Sequence, residues 1–109
     1  MNRPAPATPV ISIIIPVLGD EEALARLLAT LRTWGHAGIE IIVADGANSP
    51  SCRALAEQHA AVHLPTRPGR GHQLHAGALA AAGGIFWFLH ADATPAPDSL
   101  HFIQAHVRQ

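Results

Sequence analysis

Carboxylates, arginines and histidines gather at four places in this chain. Asp45 follows an apolar run and opens the turn Gly46-Ala47-Asn48-Ser49. Its carboxylate there either accepts hydrogen bonds from a ribose or base edge, or bonds its own backbone as a turn former. His90-Ala91-Asp92 follows the most apolar segment present. At i and i+2 of a strand end, both side chains point to one side. A histidine with a carboxylate then suits a divalent cation held against a diphosphate, and oxygen ligands favour Mg2+ or Mn2+. Arg67-Pro68-Gly69-Arg70-Gly71 precedes a helical pattern. It reads either as a phosphate cradle, with glycine backbone, arginine donors and a helix N-terminus, or as an exposed turn with solvated arginines. Glu21 and Glu22 stand at the exit of the first apolar run, where they either line a pocket or simply decorate a helix start.

Other chemistries fit less well. Gly69-x-Gly71 is no dinucleotide fingerprint, because Leu74 stands where the third glycine belongs, and no Gly-Lys-Ser/Thr of a Walker loop follows. His72 and His75 lack further ligands at zinc-finger spacing and read as helix-end residues. Cys52 is the single cysteine, so no internal disulfide is possible; a half-buried helical position and a cytoplasmic home are expected. Trp34, Phe86, Trp87 and Phe88 read as core or sheet-face aromatics.

The elements that position these residues follow from the pattern. The chain has 109 residues, 49% of them hydrophobic and 14% charged, which suits one ordered α/β domain. The net charge of −1 comes with no basic stripe, so a nucleic-acid partner is not expected. Residues 1–9 are rich in proline and alanine and read as a flexible lead-in. Pro16 and the acidic run 20–22 argue against a signal peptide, and the weakly polar stretch 76–89 falls short of the roughly 20 residues that cross a bilayer. No transmembrane segment is expected.

Strand-like and helix-like segments alternate, the mark of a Rossmann-like open parallel sheet. Strands are predicted over 10–17, 39–44, 61–64 and 85–89. Helices are predicted over 21–34 with Asp20 as N-cap, from Ser49-Pro50 to 59, over 72–82, and from Pro97 onward. Gly35 and Gly38 are expected to end the first helix. In such sheets ligands sit beyond the carboxyl ends of the strands, and the loops 18–22, 45–49, 65–71 and 90–94 lie there.

Taken in order, SIIIPVLGDEE, EIIVADGANS and PGRGHQLHAGALAAAGGIFWFLHADA resemble family 2 glycosyltransferases of the GT-A fold. That family shows a Ser-x-Ile-Ile-Pro opening, a strand ending in Asp, an Arg-x-x-Gln/Arg-x-Asn-x-Gly helix and a strand ending in an Asp-x-Asp-like motif. The His-Ala-Asp form looks closest to a small bacterial subgroup. The resemblance implies a nucleotide-diphosphate sugar as donor and a divalent cation, Mg2+ or Mn2+, as cofactor. It implies that residues 10–109 form a partial nucleotide-sugar-binding domain. Pro16 with Glu21 or Glu22 then lines the nucleobase pocket, Asp45 contacts the nucleoside, Arg70 lies near the diphosphate and Asp92 ligates the metal, with His90 in place of the first Asp. No catalytic base is assigned. The family's acceptor site and base lie in a second half, so a truncated form is expected, active only when completed. The alternatives are a non-catalytic nucleotide-binding module or remnant, and an unrelated doubly wound domain with Asp45 as a modified carboxylate. A sheet cut short also predicts self-association through an exposed edge.

Overall fold

The computed structural model describes residues 11–34 and 38–96. The lead-in, Gly35 and the helix expected from Pro97 lie outside the described residues. β-Branched residues in an unbroken run suit a strand buried on both faces, and β1 (Ile11–Val17) is such a strand. From Ile11 to Ile15 every residue is buried completely. β2 (Ile39–Asp45), β3 (Val62–Pro65) and β4 (Ile85–Phe88) complete a four-stranded sheet in the order β3-β2-β1-β4. All pairings are parallel, with Val17 opposite Asp45 and Ile14 opposite Phe88. The chain winds outward from β1 through β2 to β3 and returns to the other flank of β1. The strand order therefore reverses between β1 and β4, the switch point where such sheets bind ligands.

Helices cover both faces. α1 (Glu21–Arg32) buries Leu24, Leu27, Leu28 and Leu31, the stripe that a 3.6-residue period requires. It meets Ile11, Ile13, Ile15, Val17, Ile41 and Val43, together with Cys52 and Ala56 of α2 (Pro50–Gln58). α3 (Arg70–Ala80) packs on the opposite face against β1 and β2. Ser49 caps α2 as expected, its Oγ accepting from the Cys52 N–H at 3.3 Å, with Pro50 in the first turn. Asp20 occupies the N-cap position of α1, but its side chain makes no capping bond. α1 also stops at Arg32, short of Trp34, whose ring leaves the helix and stacks on Trp87 at 6.1 Å.

One further expectation is corrected. α3 begins at Arg70 and not His72, because Gly69, with φ +124°, takes the N-cap position and its carbonyl accepts the Gln73 N–H at 2.9 Å. Of the two places expected for Phe86 and Phe88, core or sheet face, they take the sheet face. Among the described residues β4 is an outer strand, and its Ile85 and Trp87 pack inward while the two phenylalanines stay 45% and 48% exposed.

Gly77 is where α3 touches the sheet. A Cβ added there would lie 2.4 Å from Ile14 Cγ2, inside any real contact, whereas one at Gly71 meets nothing within 4 Å. Gly77→Ala is expected to lower stability by about 1–3 kcal/mol through overpacking. Gly71→Ala should leave stability level or raise it by up to ~1 kcal/mol, as for any unencumbered helical glycine. Urea melts of the pair decide this, and equal midpoints would remove the close approach as the reason for Gly77.

Candidate functional site

The carboxyl ends of β1, β2 and β4 meet at the switch point, and backbone bonds tie them into one rim. Gly46 N–H donates to the Val17 carbonyl at 3.0 Å, and Leu89 N–H to that of Ile14 at 3.0 Å. Below the rim, Gln73 of α3 is buried and its Nε2 donates to the Val17 carbonyl at 2.7 Å and to the Ala44 carbonyl at 2.9 Å. One side chain thus ties the ends of the two central strands to the helix that carries Arg70.

Asp45 is fully buried at the end of β2. Its Oδ1 accepts the Ala47 N–H at 3.0 Å, and its Oδ2 accepts the Ser49 N–H at 2.7 Å. His63 Nε2 of β3 lies 2.9 Å from the same Oδ2. Burial alone would push this carboxyl up. The hydrogen bonds from His63, from the Ser49 and Ala47 amides and from Cys52 outweigh burial and hold it below the usual carboxylate range. The carboxylate bonds the turn that follows it, as the turn-former reading requires.

Glu21 sits half-buried at the start of α1, and its Oε1 accepts from Ser49 Oγ at 2.6 Å and from Ser51 Oγ. Those two hydroxyls lower its carboxyl below the ordinary value. The α1 start and the α2 start are therefore joined beside the β1 exit. Glu22 is exposed on the same first turn, and Pro16 is half-buried in β1, opposite Ala44.

Across the switch point, the Arg70 guanidinium meets the His90 imidazole. His90 and Asp92 are both exposed and belong to a turn after β4, closed by the Ala93 N–H on the His90 carbonyl at 3.0 Å. The strand ends at Phe88, so the expected strand-end spacing of His90 and Asp92 is replaced by turn geometry. An exposed carboxylate is a hard oxygen donor, and such cations are commonly held by one or two carboxylates with substrate phosphates supplying the rest. The donor set at this turn fits that chemistry. Ser49, Ser51, His63 and Gln73 carried no site role in the sequence reading. Alternation along β3 was the one signal for His63, because register with Val43 turns it to the α2 face.

The chain is similar to known proteins over this same region. The pattern of the family described as Glycosyl transferase family 2 matches residues 12–109. Uncharacterized glycosyltransferases from Mycobacterium bovis and Mycobacterium tuberculosis are 34% identical over 83 residues, which is 75% of this chain and 36% of theirs. Glucosyl-3-phosphoglycerate synthase from Mycobacterium tuberculosis, solved with Mn2+, uridine diphosphate and glucosyl-3-phosphoglycerate, superposes with a TM-score of 0.72 at 20% identity, over 98% of this chain and 46% of that one. A mannosyltransferase from Pyrobaculum calidifontis, solved with GDP-mannose and Mn2+, superposes with a TM-score of 0.70 at 23% identity, over 86% and 31%. The chain thus spans about a third of the curated relatives it matches and less than half of these structures.

Proposed function

The chain belongs to glycosyl transferase family 2, with the Rossmann-like α/β arrangement of the GT-A fold, and from that premise we propose that residues 10–109 bind the nucleotide-diphosphate sugar donor of a glycosyl transfer. The observation that carries this reading is the meeting of Arg70 and His90 across the switch point, with Asp92 two residues on. An arginine in the first turn of α3 adds paired donors to a helix end that already favours anions. Asp92 is the residue that would hold Mg2+ or Mn2+ there, and the cation would neutralise charge developing on a diphosphate leaving group.

The nucleoside side of the pocket is assigned to Pro16, Glu21, Glu22 and the turn that Asp45 holds. Asp45 acts through that turn, whose Ala47 and Ser49 amides its carboxylate holds. Two neighbours in structure were solved with uridine or guanosine nucleotides and Mn2+, which supports the donor class. Binding without turnover is the second reading, favoured by the single carboxylate at 90–92: with His90 drawn to Arg70, Asp92 alone offers a hard ligand. A cytoplasmic home is proposed from the lone buried cysteine; among the described residues no helix is long and apolar enough to cross a membrane.

Calorimetric titration with UDP, GDP and CDP, with and without Mn2+, tests the donor reading. One nucleotide should bind saturably and with metal dependence. Asp92→Ala should weaken that binding by at least the roughly 10–100-fold typical of damaged metal sites. A folded chain that gives no heat with any of the three sinks the proposal, while binding without donor hydrolysis selects the second reading.

Self-association is proposed through the outer edge of β4, beside Phe86 and Phe88. Sedimentation velocity should show a concentration-dependent shift that Phe88→Ser reduces. A monomer at every concentration removes this proposal.

A further inference from the structure

A cluster of side chains lies beneath the rim, and the donor reading draws on it only through the turn that Asp45 holds. Asp45 ends β2, Cys52 sits in the first turn of α2, and His63 comes from β3. Their ligand atoms all lie within 4.8 Å of one another. Asp45 is fully buried and Cys52 nearly so, and the His63 side chain is only 6% exposed. We propose that Asp45, Cys52 and His63 form a site for a transition-metal dication of the zinc class, separate from the cation at Asp92.

The donor chemistry carries the choice of metal. Thiolate, imidazole and carboxylate together suit zinc, whereas Mg2+ and Mn2+ prefer oxygen. Tetrahedral zinc sets such donors about 3.4–3.6 Å apart. The His63–Asp45 pair, at 2.9 Å, therefore has to open by roughly half an ångström as the ion replaces the shared proton. Asp45 is already oriented by the Ala47 and Ser49 amides, the outer-shell support that ligating carboxylates need. Burial and the carboxylates of Asp45 and Glu21 push the Cys52 thiol up to about 12, so the site is electronegative and its thiol stays protonated until a cation arrives. Binding breaks the S–H bond and releases that proton to solvent. The Nε2 proton that His63 shares with Asp45 moves to Nδ1 of the same ring, which frees Nε2 for the metal. Affinity accordingly rises with pH. Three protein donors leave the fourth position to water. The ion would bolt β2, α2 and β3 together directly under the turn 46–49.

Cobalt titration of the purified chain tests this. Cys52 is the only cysteine, so a thiolate-to-cobalt charge-transfer band in the near ultraviolet can arise from no other residue. The band should saturate at one equivalent of Co2+, vanish on adding Zn2+, be lost in Cys52→Ser and persist in Asp92→Ala. The last result separates this site from the nucleotide-linked cation. Folded wild-type protein without the band, or a band that survives in Cys52→Ser, overturns the proposal. Should the variant not fold, the wild-type titration alone decides, supported by a rise in melting temperature with Zn2+ or contradicted by none.

Discussion

Asp45→Ala is expected to lower stability by about 3–5 kcal/mol, because buried donors lose their acceptor at about 1–3 kcal/mol each. Four groups lose their acceptor together: the Ala47 and Ser49 amides, the His63 ring and the Cys52 thiol. A single domain has only about 5–15 kcal/mol in hand, so a fifth or more of it rests on one carboxylate. The same geometry fixes a pH dependence. The Asp45 carboxyl lies below its ordinary value in the folded chain, and an unfolded aspartate titrates near about 3.9. A carboxyl lowered by folding contributes stability that is fully present above the unfolded value and lost as pH falls through the folded one. Wild-type stability should therefore drop as pH falls below about 4. Asp45→Asn should start lower and flatten that limb, because it has no proton to take up. Urea midpoints measured from pH 2 to 7 test both. Parallel wild-type and Asp45→Asn profiles would show that the carboxylate's charge contributes nothing.

That prediction rests on a residue visible in the sequence and on partners that were not. Asp45 stood out because an apolar run ended there, and its two roles, ligand or turn former, looked alike until the Ala47 and Ser49 amides were seen to point at it. His63 is 18 residues away, and only the β2–β3 register brings it opposite. Arg70 and His90 were each read as diphosphate residues, yet their meeting depends on β4 returning beside β1, which local periodicity does not encode.

The alternation of elements was legible because apolar period switches between strand and helix are local. Boundaries failed where one residue type has two uses. Gly69 and Gly71 both looked like loop glycines, but only Gly69 adopts the positive φ, and Gly71 is helical. Core and sheet face both stay open for Phe86 and Phe88 in the sequence, because an apolar run looks the same under a helix or at a sheet edge. Sheet order, a tertiary property, separates the two cases.

Gln73→Met carries the second large effect. Methionine matches glutamine in length and stays apolar, so the change removes two hydrogen bonds with little change of shape. The bonds go to the Val17 and Ala44 carbonyls at 2.7 and 2.9 Å. Val17 keeps the Gly46 amide as a partner, so the loss should total about 2–4 kcal/mol at the usual 1–3 for each deprived buried group. Nucleotide affinity should fall as well, because the loops after β1 and β2 both start from the strand ends that Gln73 holds. Gln73→Glu gives the sharper test. An ionised carboxylate facing two carbonyl oxygens is repelled, whereas its protonated form donates one hydrogen bond. Burial against those carbonyls should raise its carboxyl in the folded state. Protonation then stabilises this variant relative to wild type as pH falls from 7 toward 5, before Asp45 begins to titrate. A Gln73→Glu chain as stable as wild type at pH 7, with no recovery on acidification, would mean that the two strand ends hold their places without the Gln73 clamp.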